Sequence, residues 1–381
     1  MIDACASPWM NDELELLADT VRRFGAEVLQ PNELRYRAQH RVDREVWRQA
    51  GALGLILPDV PEAYGGAGGS AAHAAVVFRG LGHIGNTSFG SGINHIVGHY
   101  LLNFGTEAQK QRWLPAMARG EVVGAIAMTE PGTGSDLQAV RTRALRRGDR
   151  YVIDGAKTFI TNGQLSDMVV VVAKTDPAQA AKGISLLLVD TRTPGFRRGK
   201  VLDKIGQDGA DTSEMFFDGC EVGADAVLGG VEGQGFYQLM ANLPYERAII
   251  AVGAAATMEY ALALTLDYVK ERQVFGKPVL DLQNTRQVLA DVKATVLASR
   301  CFADHIVERW IDGTLDSALA SMGKAWLTER QGEVIDRCVQ FFGGYGYMLE
   351  YPIARLYADA RVQRIYGGAN EIQRELVART L

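Results

Sequence analysis

The stretch Leu243-Pro244-Tyr245-Glu246-Arg247-Ala248-Ile249-Ile250-Ala251-Val252-Gly253 lies at the centre of the pattern that decides the fold. Proline suits the first turn of a helix, and an acid two residues later suits the positive end of the helix dipole. The apolar run that follows predicts a buried helix. Glu246 is therefore a carboxylate at the mouth of a buried helix and a candidate base, although this stretch alone favours a capping or ion-paired acid.

Helical periodicity continues on both sides of this stretch through the last third of the chain. The predicted helices cover about residues 235–273, 281–312, 316–342 and 370–380. Four helices with short connections predict a bundle. Glycine-rich helix ends follow at 272–278, 340–346 and 366–371, each with Arg, Gln or aromatic residues, and we expect these three ends to form one assembled site.

The first third of the chain is predicted to be helical as well. Its predicted helices cover 12–30 (ended by Pro31), a segment from Asp43 that Gly51 and Gly54 break, 70–82, 90–104, and 106–119 behind a capping box. The glycines at 65–69 have no G-K-[ST], so we interpret them as a connector. His95 and His99 could form a metal pair, but no third ligand is in view and packing roles are favoured.

The middle of the chain has the pattern of a small all-β unit. Short apolar runs at 151–153, 168–173, 184–189 and 215–217 are separated by Gly, Asn and Asp. Strands at this close spacing predict a small barrel or sandwich. No helices alternate with them, which argues against a doubly wound nucleotide-binding fold.

Composition is that of a soluble globular protein. Of 381 residues, 47 % are apolar and 22 % charged, and the net charge of −5 is interspersed, which indicates no nucleic-acid surface. The four cysteines are scattered and form no zinc pattern, which favours a reducing compartment. The N-terminus lacks the regions of a signal peptide, and the longest apolar run, 168–173, is too short for a membrane span.

A loop at 128–136, Met-Thr-Glu-Pro-Gly-Thr-Gly-Ser-Asp, precedes the strands. Gly132 and Gly134 suggest a dinucleotide fingerprint, but the sixth position is Leu137 and no strand–helix unit surrounds it. Two glycines with Thr and Ser can still present several N–H and hydroxyl donors to a phosphate.

Taken together, these motifs resemble the acyl-CoA dehydrogenase family over essentially the whole chain. The blocks are T-E-P-G-T-G-S-D (129–136), I-T-N-G (160–163), R-Q-x-F-G-K (272–277), G-G-x-G-Y (343–347), E-Y-P-I-x-R (350–355) and I-Y-G-G-x-N-E-I (365–372). The resemblance implies an α+β, mostly α protein of three domains. They are an N-terminal helical domain (1–123), a small β-barrel (124–232) and a C-terminal four-helix bundle (233–381).

The resemblance also implies one FAD per subunit of a homotetramer, a dimer of dimers. The residues that would lie against the flavin and pyrophosphate are Met128, Thr129, Gly134, Ser135, Phe159, Ile160 and Thr161. Those that match a segment reaching the FAD of a neighbouring subunit are Arg272, Phe275, Gln283, Gln340, Phe341, Gly343 and Gly344. Those at its adenosine end are Ala369, Asn370 and Glu371. No metal is expected.

The position of the base separates branches of the family. Many members carry the catalytic Glu directly after the Tyr of the I-Y motif, where this chain has Gly367. The long-chain and isovaleryl members place it on a bundle helix in a motif ending E-R, which Glu246-Arg247 matches. The resemblance therefore identifies Glu246 as the base, since the weakly acidic α-proton of a thioester needs one.

The implied reaction is α,β-dehydrogenation of a medium, long or branched acyl-CoA to a trans-2-enoyl-CoA, as in fatty acid β-oxidation. Glu246 would take the α-proton, and flavin N5 the β-hydrogen as hydride. The Gly367 N–H and a flavin ribityl hydroxyl would stabilise the thioester oxygen. Residues expected to contact substrate are Ser135, Tyr245, Arg247, Gly367 and Gly368. Electron-transfer flavoprotein would accept the electrons, in a bacterial cytoplasm rather than a mitochondrial matrix.

Other interpretations stay open at this point. An acyl-CoA oxidase or a flavin-dependent monooxygenase could use the same fold, and so could a flavin-binding protein without turnover. Glu246 argues against the monooxygenase, which has no need of an α-proton base. Gly90, Ser91 and Gly92 match the family's acyl tunnel and would admit a long or branched chain, whereas the orientation of Asn94, His95 and His99 is undecided.

Overall fold

A computed structural model describes residues 7–381 of the chain. Cys5 lies outside the described residues. So does most of the segment 1–9, for which no signal peptide is expected. The N-terminal helices are α1 (Asp12–Phe24), α2 (Glu33–Gln39), α3 (Arg44–Ala52), α4 (Ala71–His83), α5 (Ser91–Phe104) and α6 (Glu107–Ala118). The capping box predicted at the start of α6 is present, with Thr106 and Gln109 bonded reciprocally.

Two details of the N-terminal helices differ from the prediction. Pro31 does not end the first helix, because α1 passes through a π-helical turn (Gly25–Leu29) and a 3₁₀ turn (Gln30–Asn32) into α2, which was not predicted. Gly51 lies inside α3 instead of breaking it. A Cβ at Gly51 would stand 2.4 Å from the Arg119 backbone, so this glycine permits a close approach of two chain segments.

The middle region is one curled sheet of seven strands. Its strands are β1 (Gly124–Ala127), β2 (Arg143–Arg147), β3 (Arg150–Thr161), β4 (Met168–Lys174), β5 (Ile184–Asp190), β6 (Phe196–Val201) and β7 (Thr212–Gly223). The strand order is β1-β4-β2-β3-β7-β6, with β5 paired to β4. The central pairs β2–β3, β3–β7 and β4–β5 are antiparallel.

Strand β4 is apolar at successive positions because both of its faces are buried. Val170 and Val172 pack into the core of the N-terminal helices, whereas Val169 and Val171 pack inside the curled sheet. Side chains alternate across a strand, so a strand buried on both faces needs an unbroken apolar run. The sheet is thereby fixed against the helices that precede it.

The C-terminal region is helical, and the predicted fold class is confirmed. It contains α7 (Gly235–Glu271), the short strands β8 (Gln273–Val274) and β9 (Lys277–Pro278), α8 (Gln283–Ile311), α9 (Ser317–Phe342), α10 (Pro352–Ala360) and α11 (Asn370–Ala378). Helix α10 was not predicted. The predicted domain boundaries at 123/124 and 232/233 stay predictions.

Helix α7 lies between the two large cores of the protein. Leu239, Tyr245 and Ile249 pack into the N-terminal core, and Ala248 and Ala251 into the C-terminal one. The apolar runs in the sequence predicted no segment long enough for a membrane span, but α7 has the length and mean hydropathy of one. Of its most apolar 18 residues, 61 % are buried inside the fold. Its hydropathy therefore matches that of a central core helix.

Candidate active site

Glu246 lies in the interior of α7, about three turns after the first residue, Gly235. The expectation that Glu246 stands at the N-terminus of a helix was wrong, because α7 runs through Pro244 without ending. The predicted helix over 235–273 agrees with α7. An internal proline removes a backbone hydrogen bond. Burial of the apolar faces on both sides of α7 outweighs that local cost, so tertiary packing decides the helix boundary here.

The Glu246 carboxylate is buried and held from one side. The Tyr100 hydroxyl of α5 donates to Oε1 over 2.8 Å, and the Asn242 Nδ2, one turn earlier on α7, donates to the same oxygen over 3.4 Å. No described residue bonds to Oε2. Burial raises the pKa of Glu246, and the two hydrogen bonds and the charge of Arg247 act in the opposite direction. A carboxylate with a raised pKa and one free oxygen is a competent base.

The neighbours of Glu246 on α7 point to either side of it. The Tyr245 ring stacks on His99 at 3.9 Å between centroids, inside the N-terminal core. Arg247 is buried against α9, where its Nη1 donates to Ser317 and Ser321 over 3.2 and 3.1 Å. The predicted substrate contacts of Tyr245 and Arg247 stay predictions.

The Gly367–Gly368 turn packs on the same face of α7 as Glu246. Its φ angles of 65° and 88° lie in the left-handed region. A Cβ at Gly367 would stand 2.6 Å from the Ile250 Cδ1, and Ile250 is one turn after Glu246. Lys324 of α9 fixes the turn, since its Nζ donates to the Gly368 carbonyl and the Asn370 Oδ1, both over 2.8 Å.

The predicted flavin loop is assembled with β3. The Thr158 N–H donates to the Thr129 carbonyl over 3.0 Å, which places the next residue, Phe159, beside the loop. Phe159 is 67 % exposed and has a φ of 60°, in a bulge of β3. A positive φ at a bulky residue is rare and is typical of functional sites.

The loop fits a flavin nucleotide. Apart from the adjoining residues, no atom of residues 7–381 lies within 4 Å of where a Cβ would stand at Gly132 or Gly134, so a ligand can approach this backbone closely. Gly134 and Ser135 are exposed, and Phe159 offers an unpartnered aromatic face. Backbone donors beside an exposed ring match the phosphates and the flat isoalloxazine of FAD.

A buried ion pair supports this loop from below. The Lys157 Nζ lies 2.9 Å from both the Met128 carbonyl and the Glu130 Oε1. Glu130 also accepts the backbone N–H groups of Arg141 and Thr142 over 2.7 and 2.9 Å. Burial lowers the pKa of Lys157 to about 8, although Glu130 opposes this. Lys157 therefore holds Met128 and Glu130, the first and third residues of the loop, in place.

Replacing Lys157 by Met is expected to weaken FAD binding by at least about tenfold. The change leaves Glu130 buried without a counterion, which costs about 3–5 kcal/mol, and it frees the Met128 carbonyl. The measurement is fluorescence titration of apoprotein with FAD. Lys200→Met, an exposed lysine on β6, is the control and should bind FAD normally. Unchanged FAD affinity in Lys157→Met would contradict the assigned role of the pair.

A second group of predicted FAD residues lies at the opposite end of the bundle. Phe275 is 94 % exposed, Phe341 is half-buried, and the other members of the group are exposed: Arg272, Gln283, Gln340, Gly343 and Gly344. The Tyr268 ring stacks on Phe342 at 4.2 Å, which joins the ends of α7 and α9. Their predicted contact with a neighbouring subunit's FAD stays a prediction.

The expectation that the three glycine-rich ends form one site was wrong within the described chain. Lys324 of α9 is bonded to the Gly367 turn, whereas Phe342, at the end of the same helix, lies beside the other two glycine-rich ends. These residues are 18 positions apart on one helix, or about 27 Å. Asn370 sits with the Gly367 turn, and its amide donates to α9 at Ala325 and Thr328. Ala369, half-buried, and Glu371, exposed, flank it.

The polar residues of α5 are engaged with other parts of the fold. The Asn94 Oδ1 accepts the Gly124 N–H over 2.7 Å, and the His95 Nε2 accepts the Leu57 N–H over 3.4 Å. The His99 Nε2 lies 2.9 Å from Asp59. Asn94 and His95 thus bond to β1 and to the loop before Asp59. Across residues 7–381 no group of three His, Cys, Asp or Glu could hold a metal ion.

Sequence reasoning missed three residues of this site: Tyr100, Asn242 and Lys324. Asn242 could have been found, because residues four apart share one helix face. Tyr100 is 146 positions from Glu246, and Lys324 is 44 from Gly368. Neither belongs to a motif, so only the packing of α5 and α9 against α7 reveals them.

Comparison with known proteins covers the chain almost end to end. Residues 11–121, 125–220 and 233–381 match the families described as acyl-CoA dehydrogenase N-terminal, middle and C-terminal domain. The mouse mitochondrial long-chain specific acyl-CoA dehydrogenase is 43 % identical over 374 residues, covering 97 % of this chain and 87 % of that protein.

Solved structures agree with the sequence matches. An acyl-CoA dehydrogenase from Geobacillus kaustophilus superposes with a TM-score of 0.95 at 40 % identity, covering 98 % of this chain and 99 % of that one. A glutaryl-CoA dehydrogenase from Mycobacterium smegmatis, solved in complex with FADH2, superposes with a TM-score of 0.91 at 28 % identity, covering 97 % and 95 %.

Proposed function

Because the chain belongs to the acyl-CoA dehydrogenase family, whose members are FAD enzymes, we propose that it oxidises the Cα–Cβ bond of a fatty acyl-CoA with Glu246 as the base. The observation that carries the proposal is the buried Glu246 carboxylate on the face of α7 that packs against the Gly367 turn. Its Oε1 is bonded and its Oε2 has no partner in residues 7–381.

FAD would be held by the loop from Met128 to Ser135 and by the segment from Phe159 to Thr161. When bound there, it supplies the acceptor for the β-hydrogen and its electron pair. The chain supplies the exposed donors of the loop, the Phe159 ring and the support of the Lys157–Glu130 pair. The FAD of a neighbouring subunit in a homotetramer would be reached by Arg272, Phe275, Gln283, Gln340, Phe341, Gly343 and Gly344. The adenosine end of FAD would lie against Ala369, Asn370 and Glu371.

Glu246 would remove the α-proton through Oε2, because Oε1 is occupied by Tyr100 and Asn242. The thioester oxygen becomes more negative as the proton leaves, so a donor already in place lowers the barrier. The Gly367 N–H would be that donor, and Lys324 keeps its turn in position. Burial of Glu246 beside an apolar chain keeps water from the proton transfer.

A medium or long acyl chain is supported by the two helices that lead away from Glu246. Helices α5 and α7 run antiparallel, with Asn103 beside Asn242 and Tyr100 beside Glu246. Gly92 lies eight residues from Tyr100, or about 12 Å along α5. A Cβ there would meet Phe78 only at 3.8 Å, and a Cβ at Gly253 would meet no atom within 4 Å. Side chains therefore leave room beyond the base.

Replacing Gly92 by Leu is expected to shorten the preferred acyl chain. The added side chain would occupy the space between α5 and α7 beyond the base, lowering kcat/KM for long acyl-CoAs by about 10- to 100-fold and leaving that for short ones little changed. The measurement is kcat/KM over a chain-length series. Ile93→Leu, which keeps the volume of its neighbour, should keep the wild-type preference. An unshifted preference in Gly92→Leu would place the acyl chain elsewhere.

The test of the function separates it from an oxidase, a monooxygenase and a protein without turnover. We expect acyl-CoA to reduce the bound flavin without oxygen, and an electron-transfer flavoprotein to reoxidise it faster than oxygen does. Rapid oxygen consumption with acyl-CoA would indicate an oxidase. Flavin that no acyl-CoA reduces would indicate one of the other two. A bacterial cytoplasm is the proposed location.

A further inference from the structure

Tyr100 is a buried residue that contacts the base from a different helix. It is fully inaccessible to solvent, and its hydroxyl donates to the Glu246 Oε1 over 2.8 Å. The phenol ring belongs to the N-terminal core, where the rest of α5 holds it. A tyrosine packed on all sides has little freedom to move, so its hydroxyl is a fixed point for the carboxylate.

In this contact the Tyr100 hydroxyl is the hydrogen-bond donor and the Glu246 carboxylate is the acceptor. Burial and the charge of Glu246 raise the pKa of the Tyr100 phenol well above 10, so Tyr100 stays a neutral donor at every working pH. A hydrogen bond from a neutral donor to a carboxylate stabilises the ionised form of the acid. Asn242 donates to the same oxygen over a longer distance, 3.4 Å.

We propose that Tyr100 is a positioning residue for the α-proton base: it fixes Oε1, keeps Glu246 ionised in its buried setting, and turns Oε2 towards the acyl-CoA. This inference rests on the proposed function of Glu246. Two donors on one oxygen leave one oxygen for the proton. Without Tyr100 the carboxyl could rotate about its last bond, and burial would favour its protonated, inactive form.

Other ionisable groups around Glu246 are few and are fixed on separate elements. Arg247 on α7 opposes protonation through its charge, and Tyr245 beside it is buried. His99 of α5 lies against Asp59, and Lys324 of α9 against the Gly367 turn. None of these five side chains hydrogen-bonds to the Glu246 carboxylate. Tyr100 is therefore the contact whose removal should move the titration of the base most directly.

The test is Tyr100→Phe, which removes one oxygen atom and keeps the ring. The FAD-loaded protein is mixed anaerobically with an acyl-CoA that reduces the wild type, and the rate of flavin bleaching is followed against pH. We expect the acidic limb of the profile to move to higher pH by about one to two units, since a bond to a charged group is lost. Acyl-CoA affinity should change less than twofold.

Controls separate this role from a structural one. Tyr36→Phe also removes a hydroxyl from a fully buried tyrosine, one that donates to the Val28 carbonyl far from the base, and it should keep the wild-type pH profile. A fluorinated tyrosine at position 100 keeps the hydroxyl and makes it a stronger donor. It should move the acidic limb to lower pH, opposite to Tyr100→Phe.

An unmoved acidic limb in both position-100 variants would overturn the positioning role, whereas limbs moving in opposite directions would establish it. If Tyr100→Phe does not retain FAD, the fluorinated variant alone decides. Failure of the proposed function itself looks different. In that case no acyl-CoA bleaches the wild-type flavin, whatever the residue at position 100.

Discussion

Replacing Glu246 by Gln is expected to lower the rate of flavin reduction by acyl-CoA by about 10²- to 10⁴-fold, the usual contribution of general acid–base catalysis. Gln keeps the shape of the side chain and can still accept the Tyr100 hydrogen bond, so the fold and FAD should be retained. It cannot take a proton. The measurement is anaerobic stopped-flow absorbance near 450 nm with the best acyl-CoA substrate.

The matched control for this change is Glu259→Gln on the same helix. Glu259 is also poorly exposed, but it pairs with Arg300 and His83 at the far side of α7. Its replacement should lower thermal stability and leave the rate of flavin reduction near that of the wild type. A Glu246→Gln variant with a near-normal rate would remove Glu246 from the role of base.

The largest effect on stability is expected from Arg37→Met. Arg37 of α2 pairs with Glu33 at 2.8 Å and with Asp208 at 3.1 Å, and it contacts Asp359 of α10. Asp359 is only 1 % exposed and also accepts from Thr87 over 2.6 Å. Without the guanidinium, the buried carboxylates of Glu33 and Asp359 and the partly exposed one of Asp208 lose their shared counterion. Breaking such a buried pair costs about 3–5 kcal/mol.

The measurement for Arg37→Met is the Tm of the FAD-loaded protein, which should fall by several degrees. Arg35→Met is the control, because Arg35 lies on the same helix but pairs with Asp43 at the surface. Exposed ion pairs contribute little, so its Tm should stay close to that of the wild type. Equal Tm values for the two variants would show that the ion pairs of Arg37 with Glu33, Asp208 and Asp359 do not stabilise the contact between the N-terminal, middle and C-terminal regions.

Most helices and strands could be predicted, because the spacing of apolar residues along a single sequence is enough to indicate them. The run at 168–173 predicted a strand from its unbroken apolar character, and β4 owes that character to burial on both faces. The capping box at Thr106 predicted the start of α6 to the residue. Local chemistry specified these features, so no knowledge of the rest of the fold was needed.

The errors occur where tertiary packing overrides local chemistry. Pro31 was expected to end a helix, and the local pattern at 243–253 placed Pro244 in the first turn of one, but the chain continues through both in helical turns. Gly51 was expected to break a helix and instead admits a neighbouring backbone. A sequence shows that a residue can end a helix, and only packing shows whether it does.

The candidate site was predictable in its motifs and not in its supports. Glu246 and the Met128–Ser135 loop stood out by residue type and spacing. Tyr100 did not, because the contact with Glu246 spans 146 positions and depends on how α5 lies beside α7. The three glycine-rich ends looked like one site in sequence, but the length of α9 separates them.

The central claim, that Glu246 takes the α-proton while the β-hydrogen leaves for the flavin, is tested most directly with deuterated substrate. Wild-type protein would be mixed anaerobically with acyl-CoA carrying deuterium at Cα, at Cβ or at both. We predict flavin bleaching with a primary isotope effect at each position, and bleaching that is about 10²- to 10⁴-fold slower in Glu246→Gln. Bleaching without an isotope effect at Cα would contradict this account, and so would the absence of bleaching with every acyl-CoA.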